Sequence, residues 1–328
     1  MVKVSSGFGR HPFRMLLPAV PENVERAAGI LRAGGVVAFP TETVYGLGAL
    51  AFDPAAVARI FEIKRRPSFD PLIVHVLDGA MLAKVVAEVP PIAARLMNAF
   101  WPGALTLVLR KASLLPELVT SGLDTVAVRM PSHAVARALL ERVNAPLAAP
   151  SANPFGSLSP TRAEHVAAML GDRAGVVLDA GRSEYGIEST VLALEPHPAL
   201  LRPGAIAVEA IESVVGPIER GASRGPVRAP GQLPVHYAPR TPLRVIEPAS
   251  VPLAERSNSG VLGMRDAFEG YAAQRSLSRR GDLREAAACF FEALHELDAL
   301  GLERIDAQPL PEEGLGLAMM DRLRRAVS

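Results

Sequence analysis

The sequence predicts an α/β protein built of two units joined by a proline- and glycine-rich segment. From Val24 to about Val215, short apolar runs alternate with helix-like stretches. Between Gly216 and Pro242 that alternation dissolves into GPIERGASRGPVRAPGQLPVHYAPRTP, which holds too many prolines and glycines for a helix or a central strand. Residues 243–328 then resume the alternation. The expected division is therefore a first domain over 1–215, a linker over 216–242 and a small second domain over 243–328. With 328 residues there is room for one large or two ordinary domains, at roughly 100–200 residues each, and for a core that needs no covalent staples.

Each element follows from local chemistry. A first helix is closed by Gly34, and Val36–Phe39 reads as a strand. Asp53-Pro54 opens a helix as N-cap and first-turn proline, and the helix runs to Lys64. Strands follow at Leu72–Val76, Leu105–Leu109 and Thr125–Arg129, with a short one before Ala149. Thr161-Arg-Ala-Glu164 has the form of a capping box and precedes strands at Val176–Leu178 and Thr190–Leu194. The helix ending at Lys64 allows its flanking strands to be parallel, whereas the later separations equally allow antiparallel pairing, so strand order stays open. The second domain restarts with strands at Leu243–Ile246 and Gly260–Gly263. A long amphipathic helix at Leu283–Leu300, a strand at Arg304–Ala307 and a helix ending near Val327 complete it.

Composition removes several classes of function. Lys and Arg number 35 against 34 Asp and Glu, which argues against a surface wholly dedicated to nucleic acid or anionic membrane. Hydrophobic residues make up 49%, which excludes bulk disorder. A single cysteine, Cys289, rules out an intramolecular disulfide and a thiolate metal cluster, and its setting in REAAACFFEALHEL reads as a buried small residue. The chain has no run of about 18 apolar residues, and the start MVKVSSGFGRHPFRMLLPAV has too short an apolar stretch for a secretory signal. A cytoplasmic protein without membrane contact is the expectation.

The chemistry gathers in four places. Phe39-Pro-Thr-Glu-Thr-Val-Tyr-Gly-Leu-Gly48 follows a strand and reads as a strand-to-helix loop, the usual ligand position in α/β proteins, though its two glycines match neither a dinucleotide fingerprint nor a Walker loop. Lys64-Arg65-Arg66-Pro67 sits at a helix end, where the macrodipole favours cations regardless of function; between two strands, Lys and Arg also suit a polyphosphate. Arg129 ends an apolar strand and needs a partner, either a structural carboxylate or that of a small substrate. Ala148-Ala-Pro-Ser151-Ala-Asn153-Pro-Phe-Gly-Ser-Leu-Ser159-Pro-Thr161 is a hydroxyl-rich loop able to bind anions. No Ser-His-Asp constellation and no histidine ligand spacing is visible. His75, in an apolar strand, is as well explained by a hydrogen-bonded core as by a ligand.

Taken in order, PTETVYGLG, KRRP-x3-PLIVH, DTVAVRMP, APSAN-x5-SPT, GIESTV and LRPG resemble the threonylcarbamoyl-AMP synthase family with its YrdC-like catalytic domain. The resemblance covers nearly the whole chain, and Ala229-Pro-Gly-Gln-Leu-Pro-Val-His236-Tyr237-Ala-Pro239 resembles the linker of the long, two-domain form. It implies a YrdC-like twisted mixed sheet with helices plus a smaller Rossmann-like domain. It implies a nucleotidyl transfer in which L-threonine, bicarbonate or carbon dioxide, and ATP give threonylcarbamoyl-AMP and pyrophosphate. Downstream threonylcarbamoyl-transfer proteins then modify tRNA beside the anticodon. Carried over residue by residue, Thr43, His75, Arg129, Ala149 and Ser189 surround threonine. Lys64, Arg66, Asp70, Thr125, Ser151, Ser159, Arg202 and Tyr237 hold ATP, with Tyr237 folding over the nucleotide as a lid. Magnesium is expected with ATP, its ligands unassigned, and no side chain is assigned as acid, base or nucleophile.

Two departures from the family pattern stand out: Asp70 replaces a more usual asparagine, and Phe155-Gly156 replaces Ser-Gly. Two other readings compete. One is a carbamoyltransferase working through carbamoyl-adenylate, although such proteins carry further domains. The other is a non-enzymatic module for double-stranded RNA or tRNA using Lys64, Arg65, Arg66 and Arg129, which 5% aromatic content disfavours for want of stacking platforms; weak tRNA contact is compatible with either class.

Overall fold

The computed structural model describes residues 16–220, 228–233 and 236–327. Most of the amino-terminal stretch read for a leader, and linker residues 221–227 and 234–235, lie outside the described residues. Among the described residues the first sheet has eleven strands, the last of them from the linker. These are β1 (Leu16–Pro18), β2 (Val37–Phe39), β3 (Gly46–Leu50), β4 (Ile73–His75), β5 (Leu105–Arg110), β6 (Thr125–Arg129), β7 (Leu147–Ala148), β8 (Val176–Asp179), β9 (Thr190–Ala193), β10 (Ala199–Arg202) and β11 (Glu219–Arg220). They form one sheet in the order β1-β8-β2-β3-β7-β4-β6-β5-β9-β10-β11. Pairing is mixed: β4 and β6 are parallel, as are β5 and β9, while β2 and β3, β3 and β7, β4 and β7, and β5 and β6 are antiparallel.

Among the described residues eight α-helices cover this sheet: α1 (Pro21–Arg32), α2 (Pro54–Lys64), α3 (Gly79–Val85), α4 (Pro91–Phe100), α5 (Glu117–Thr120), α6 (Ala134–Val143), α7 (Ala163–Leu170) and α8 (Val208–Val215). Alternation along the strands sends Ala38, Leu47, Val74, Val126, Val128 and Leu192 to one face, which packs against α2, α3, α4, α5, α7 and α8. Among the described residues, helices cover only half the width of the opposite face. There Val37, Phe39, Leu147 and Leu178 meet α1 and α6. Over β4, β6, β5, β9 and β10 the same face carries Ile73, Val108, Ala127, Val191, Ala193 and Leu201, and what lies on that strip is Ala229 of the linker. His75 and Arg129, two of the predicted site residues, end β4 and β6 on this half.

Several expectations hold and several change. β6 and the last strand of the second unit fall at the predicted residues, and Asp53 caps α2 through bonds from Ala55 and Ala56. The loop after Phe39 does not lead into a helix: it leads into β3, which returns antiparallel to β2. Gly46 and Gly48 hid this strand because glycine weakens strand propensity. Gly48 is needed where it is, since a Cβ there would stand 2.6 Å from the Phe39 ring. The strands predicted to flank α2, here β2 and β4, are not parallel neighbours, because β3 and β7 lie between them. The capping box does not form either; α7 starts at Ala163 with Arg162 at its N-cap, and Thr161 turns to His165. The linker gives two residues to the first sheet, as β11 pairs with β10.

In the second unit β12 (Leu243–Val245), β13 (Ser259–Gly263), β14 (Ala273–Ser276) and β15 (Arg304–Ala307) make a wholly parallel sheet in the order β12-β15-β13-β14. Helices α9 (Leu283–Asp298) and α10 (Gly314–Ala326) pack on it. Their apolar residues Phe290, Phe291, Leu294 and Met319 belong to a core that continues into Val44, Leu158, Ile187 and Tyr237 of the first unit and linker. Cys289 is half-buried rather than fully buried, with Arg182 beside its sulfur. Among the described residues no helix is long and apolar enough to cross a membrane.

Candidate active site

A hollow of about 520 Å3, its mouth included, opens on the helix-free half of the first sheet beneath the linker. Adjacent strands set its floor. His75 ends β4 and Arg129 ends β6, paired directly in register, so their side chains emerge on one face side by side. Arg129 Nη2 lies 2.9 Å from His75 Nε2, and Nη1 donates to Thr43 Oγ1 at 2.9 Å and to Glu42 Oε1 at 3.0 Å. The partner that Arg129 required is therefore a carboxylate of the chain itself. Its Nε remains without a partner. Burial pulls Arg129 below the usual guanidinium range, against the pull of Glu42, and burial followed by the charge of Arg129 holds His75 well below its ordinary value, hence neutral.

Ser189 stands on the opposite wall. Its hydroxyl meets Thr106 Oγ1 at 2.8 Å and accepts from Arg202 Nη2 at 3.1 Å. Arg202 also donates to Ser189 O and, through Nη1, to Pro230 O of the linker at 3.0 Å. The tight turn at Gly204 allows this arrangement, because a Cβ there would come within 2.4 Å of the backbone between Glu188 and Thr190. Arg66 enters from the end of α2. Arg65 takes a left-handed conformation (φ 53°), which stops the helix and leaves Lys64 and Arg66 both buried. Arg66 donates to Asp70 O and Pro71 O and pairs with Asp70 Oδ2 at 2.9 Å.

Of the predicted residues, Thr43, Arg66, His75, Arg129, Ala149, Ser151, Ser189, Arg202 and Tyr237 line the hollow. Three others lie buried outside its lining. Lys64 is spent on the hydroxyl-rich loop, donating to Ser151 O at 2.6 Å and Asn153 O at 2.5 Å, and burial together with Arg66 lowers its affinity for a proton. Asp70 is fully buried against Arg66, with Oδ1 unpartnered, and burial raises its carboxyl despite that cation. Ser159 is fully buried and bonds Glu188. Thr125 is not brought to the site. It starts β6, four residues before Arg129 and so roughly 13 Å away at strand spacing, and it lines a separate hollow with Arg110, Glu195 and Arg228. Both hollows open on one face, with Ala229 on the strip between them.

Residues outside the predicted set complete the lining. Thr41, Glu188, His236 and Gly231 belong to it, and Glu42 and Arg322 stand behind it. Glu42 and Glu188 sit inside motifs already noted, but nothing local marks them as buried ion-pair partners. Arg322, on the last helix, carries no sequence signal beyond a cation near a helix C-terminus. Among the described residues no three His, Cys, Asp or Glu side chains gather as a metal site. The nearby carboxylates are engaged: Glu42 by Arg129, Glu188 by Ser159 and Arg322, and Asp70 by Arg66.

A pocket with three guanidinium-bearing residues around it, several hydroxyls and no paired nucleophile and base suits substrates rich in anionic oxygen. Residues 29–204 match the family described as "Telomere recombination", and residues 206–328 match "Threonylcarbamoyl-AMP synthase, C-terminal domain". The chain belongs to the threonylcarbamoyl-AMP synthase family. It is 43% identical over 318 residues to the threonylcarbamoyl-AMP synthase of Pyrococcus abyssi and 44% identical over 320 residues to that of Bacillus subtilis, in each case covering 92% of both chains. The crystal structure of Pyrococcus abyssi Sua5 complexed with L-threonine matches with a TM-score of 0.88 at 41% identity, covering 95% of this chain and 96% of that one. The mixed sheet with a second parallel sheet is thus the architecture of this family. The chain is an enzyme that makes threonylcarbamoyl-AMP, a nucleotidyl transfer, which decides among the readings the sequence left open.

Proposed function

We propose that Thr43, His75, Arg129, Ala149 and Ser189 hold L-threonine, and that Arg66, Ser151, Arg202 and Tyr237 hold the ATP phosphates and close over them. The observation that carries this is the buried Arg129, whose Nε still lacks a partner while its other nitrogens meet the Thr43 hydroxyl, Glu42 and a neutral histidine. A carboxylate arriving there completes the arginine without displacing Glu42. With the threonine carboxylate so fixed, its amine takes up carbon dioxide and loses a proton, giving a carbamate. A carbamate oxygen attacks the α-phosphorus of ATP, the bond to the β-phosphate oxygen breaks, and pyrophosphate leaves.

Nothing in this sequence of steps requires a protein nucleophile. Positioning the carbamate in line and spreading phosphate charge over Arg66 and Arg202 supply the catalysis. Magnesium enters with ATP as its counter-ion, held chiefly by the phosphates. Lys64 acts one layer back, fixing the carbonyls that orient Ser151. Tyr237 and His236 come from the linker and shield the labile mixed anhydride from water. The product passes, in the cytoplasm, to proteins that transfer the threonylcarbamoyl group to tRNA.

The test is pyrophosphate release from magnesium-ATP, with threonine or bicarbonate omitted in turn, alongside mass detection of the adenylate. Pyrophosphate that depends on both, with a threonylcarbamoyl-AMP mass, is the expected result. Release that ignores threonine would refute the assignment of the Arg129 pocket.

A further inference from the structure

The second unit reaches the active site through α10. Arg322 on that helix is 1% exposed, and its Nε donates at 2.9 Å to Glu188 Oε2, which belongs to the first unit and lines the hollow. Its guanidinium carbon lies 4.9 Å from the centroid of the Tyr237 ring, a cation–π distance. Nη1 donates to Asp321 Oδ2 at 2.8 Å, while Nη2 has no partner. One turn on, Arg325 holds the linker from the same helix: its Nη1 donates to Leu233 O at 2.6 Å, and its carbonyl accepts from His236 N at 3.0 Å.

Electrostatics makes this arrangement informative. Glu188 stands at the wall of a pocket that receives a triphosphate, where a bare carboxylate would repel the substrate. Burial pushes its carboxyl up, but Arg322, Arg202 and the Ser159 bond outweigh burial and keep it ionised. An ionised Glu188 is tolerable there because a cation from the other unit neutralises it. The Tyr237 ring is seated by that same cation in a left-handed backbone conformation (φ 64°), with its hydroxyl unpartnered and Gly231 so close that a Cβ there would lie 2.3 Å from it.

We propose that Arg322 is a positioning residue for the nucleotide: it neutralises Glu188 and seats the Tyr237 ring, so that the site for ATP is complete only when α10 of the second unit is docked. This rests on the reading that ATP phosphates occupy the hollow, and the experiment separates the two. Full-length Arg322→Met, Arg322→Lys and Arg322→Met/Glu188→Gln are compared with the wild type for calorimetric binding of L-threonine and of a non-hydrolysable ATP analogue with magnesium, and for pyrophosphate release.

Arg322→Met is expected to weaken analogue binding about tenfold while threonine binding changes less than about twofold. Arg322→Lys, which keeps the charge but loses the fork and the stacking, falls between. The double variant, which removes both charges together, recovers analogue binding to within about threefold of wild type, and it is also the folded comparator if Arg322→Met alone does not fold. Equal losses of threonine and analogue binding, or no recovery in the double variant, would overturn the proposal and leave Arg322 as an interface anchor. Wild-type protein that binds threonine but not the analogue would instead overturn the placement of ATP, and Arg322 with it. Analogue binding without pyrophosphate release would count against the reaction alone and leave the Arg322 comparison intact.

Discussion

Asp306 in the second unit and Arg129 in the first are both buried charges on interior strands, and they end in opposite states. Asp306 is fully buried on β15, between β12 and β13. Its Oδ1 accepts from Arg244 Nε at 2.6 Å and Arg304 Nε at 3.2 Å, and its Oδ2 accepts from Tyr271 Oη at 2.9 Å and Arg244 Nη2 at 3.3 Å. Every acceptor is used. Arg129 has Glu42, Thr43 and His75, yet its Nε is left without a partner on a residue that lines a hollow. Around that hollow Tyr237 Oη is also unpartnered. A buried charge saturated by its own fold is structural, whereas one left partly unsaturated has stability withheld from the apo protein and made available to a ligand.

Substitution of Arg129 has the largest expected effect. Arg129→Met strands Glu42, whose side chain is 2% exposed, so unfolding stability should fall by about 3–5 kcal/mol. Threonine-dependent pyrophosphate release should fall by at least about a hundredfold, near 2.7 kcal/mol in the barrier. Adding Glu42→Gln should restore most of the stability and none of the activity. Denaturant unfolding and turnover read the two separately, and a double variant with normal turnover would show that Arg129 serves the fold alone. At the saturated centre the pattern inverts: Asp306→Ala should cost about 2–4 kcal/mol in unfolding while leaving turnover per folded molecule unchanged.

How much of this contrast the sequence already carries depends on separation along the chain. TVAVR marks β6 and places Arg129 at its end because period-two patterning is local. Glu42 lies 87 residues from Arg129, and Glu188 lies 134 from Arg322, so no local signal joins them. The motif resemblance found most of the lining because motifs preserve positions that converge only after folding. It did not separate Arg66, which faces the hollow, from Lys64, which is committed to the carbonyls of Ser151 and Asn153, since helix periodicity does not say which cation a later loop will claim. Thr125 illustrates the same limit. It shares the strand and face of Arg129, and Ala229 of the linker, over 100 residues on, lies between its hollow and the site.

Acidification acts on a second set of buried titratable groups. His75 and His236 at the hollow, and His165 and His295 between the units, are all held below their ordinary values with burial as the first cause; His165 goes down to about 3. In the unfolded chain these groups titrate near 6.5. Folded pKa values are depressed, so the unfolded state binds more protons below that pH, and stability present above about 6.5 is lost as pH falls. Unfolding midpoints should drop between pH 6.5 and 5. His165→Gln should reduce the slope by about one proton, or less if its stacked partner His295, 4.0 Å away, becomes easier to protonate. A slope unchanged by that substitution would mean that the inter-unit contact already opens near neutral pH.

The smallest expected effect discriminates best, because it compares two tyrosines by one oxygen each. Tyr45 and Tyr237 are both buried, at 0% and 1% exposure. Tyr45 Oη donates to Gly181 O at 2.7 Å and accepts from Ala180 N at 3.2 Å, whereas Tyr237 Oη has no partner. Tyr45→Phe removes two bonds and strands two backbone groups, so it should cost about 1–3 kcal/mol. Tyr237→Phe removes a hydroxyl that the folded chain does not satisfy, so its stability should stay within about 0.5 kcal/mol of wild type or rise slightly. Its cost should appear instead as a severalfold loss in binding of the ATP analogue. If Tyr237→Phe destabilises the protein as much as Tyr45→Phe does, the hydroxyl has a partner within the fold. The distinction between saturated and waiting groups would then fail at the residue where the linker meets both units.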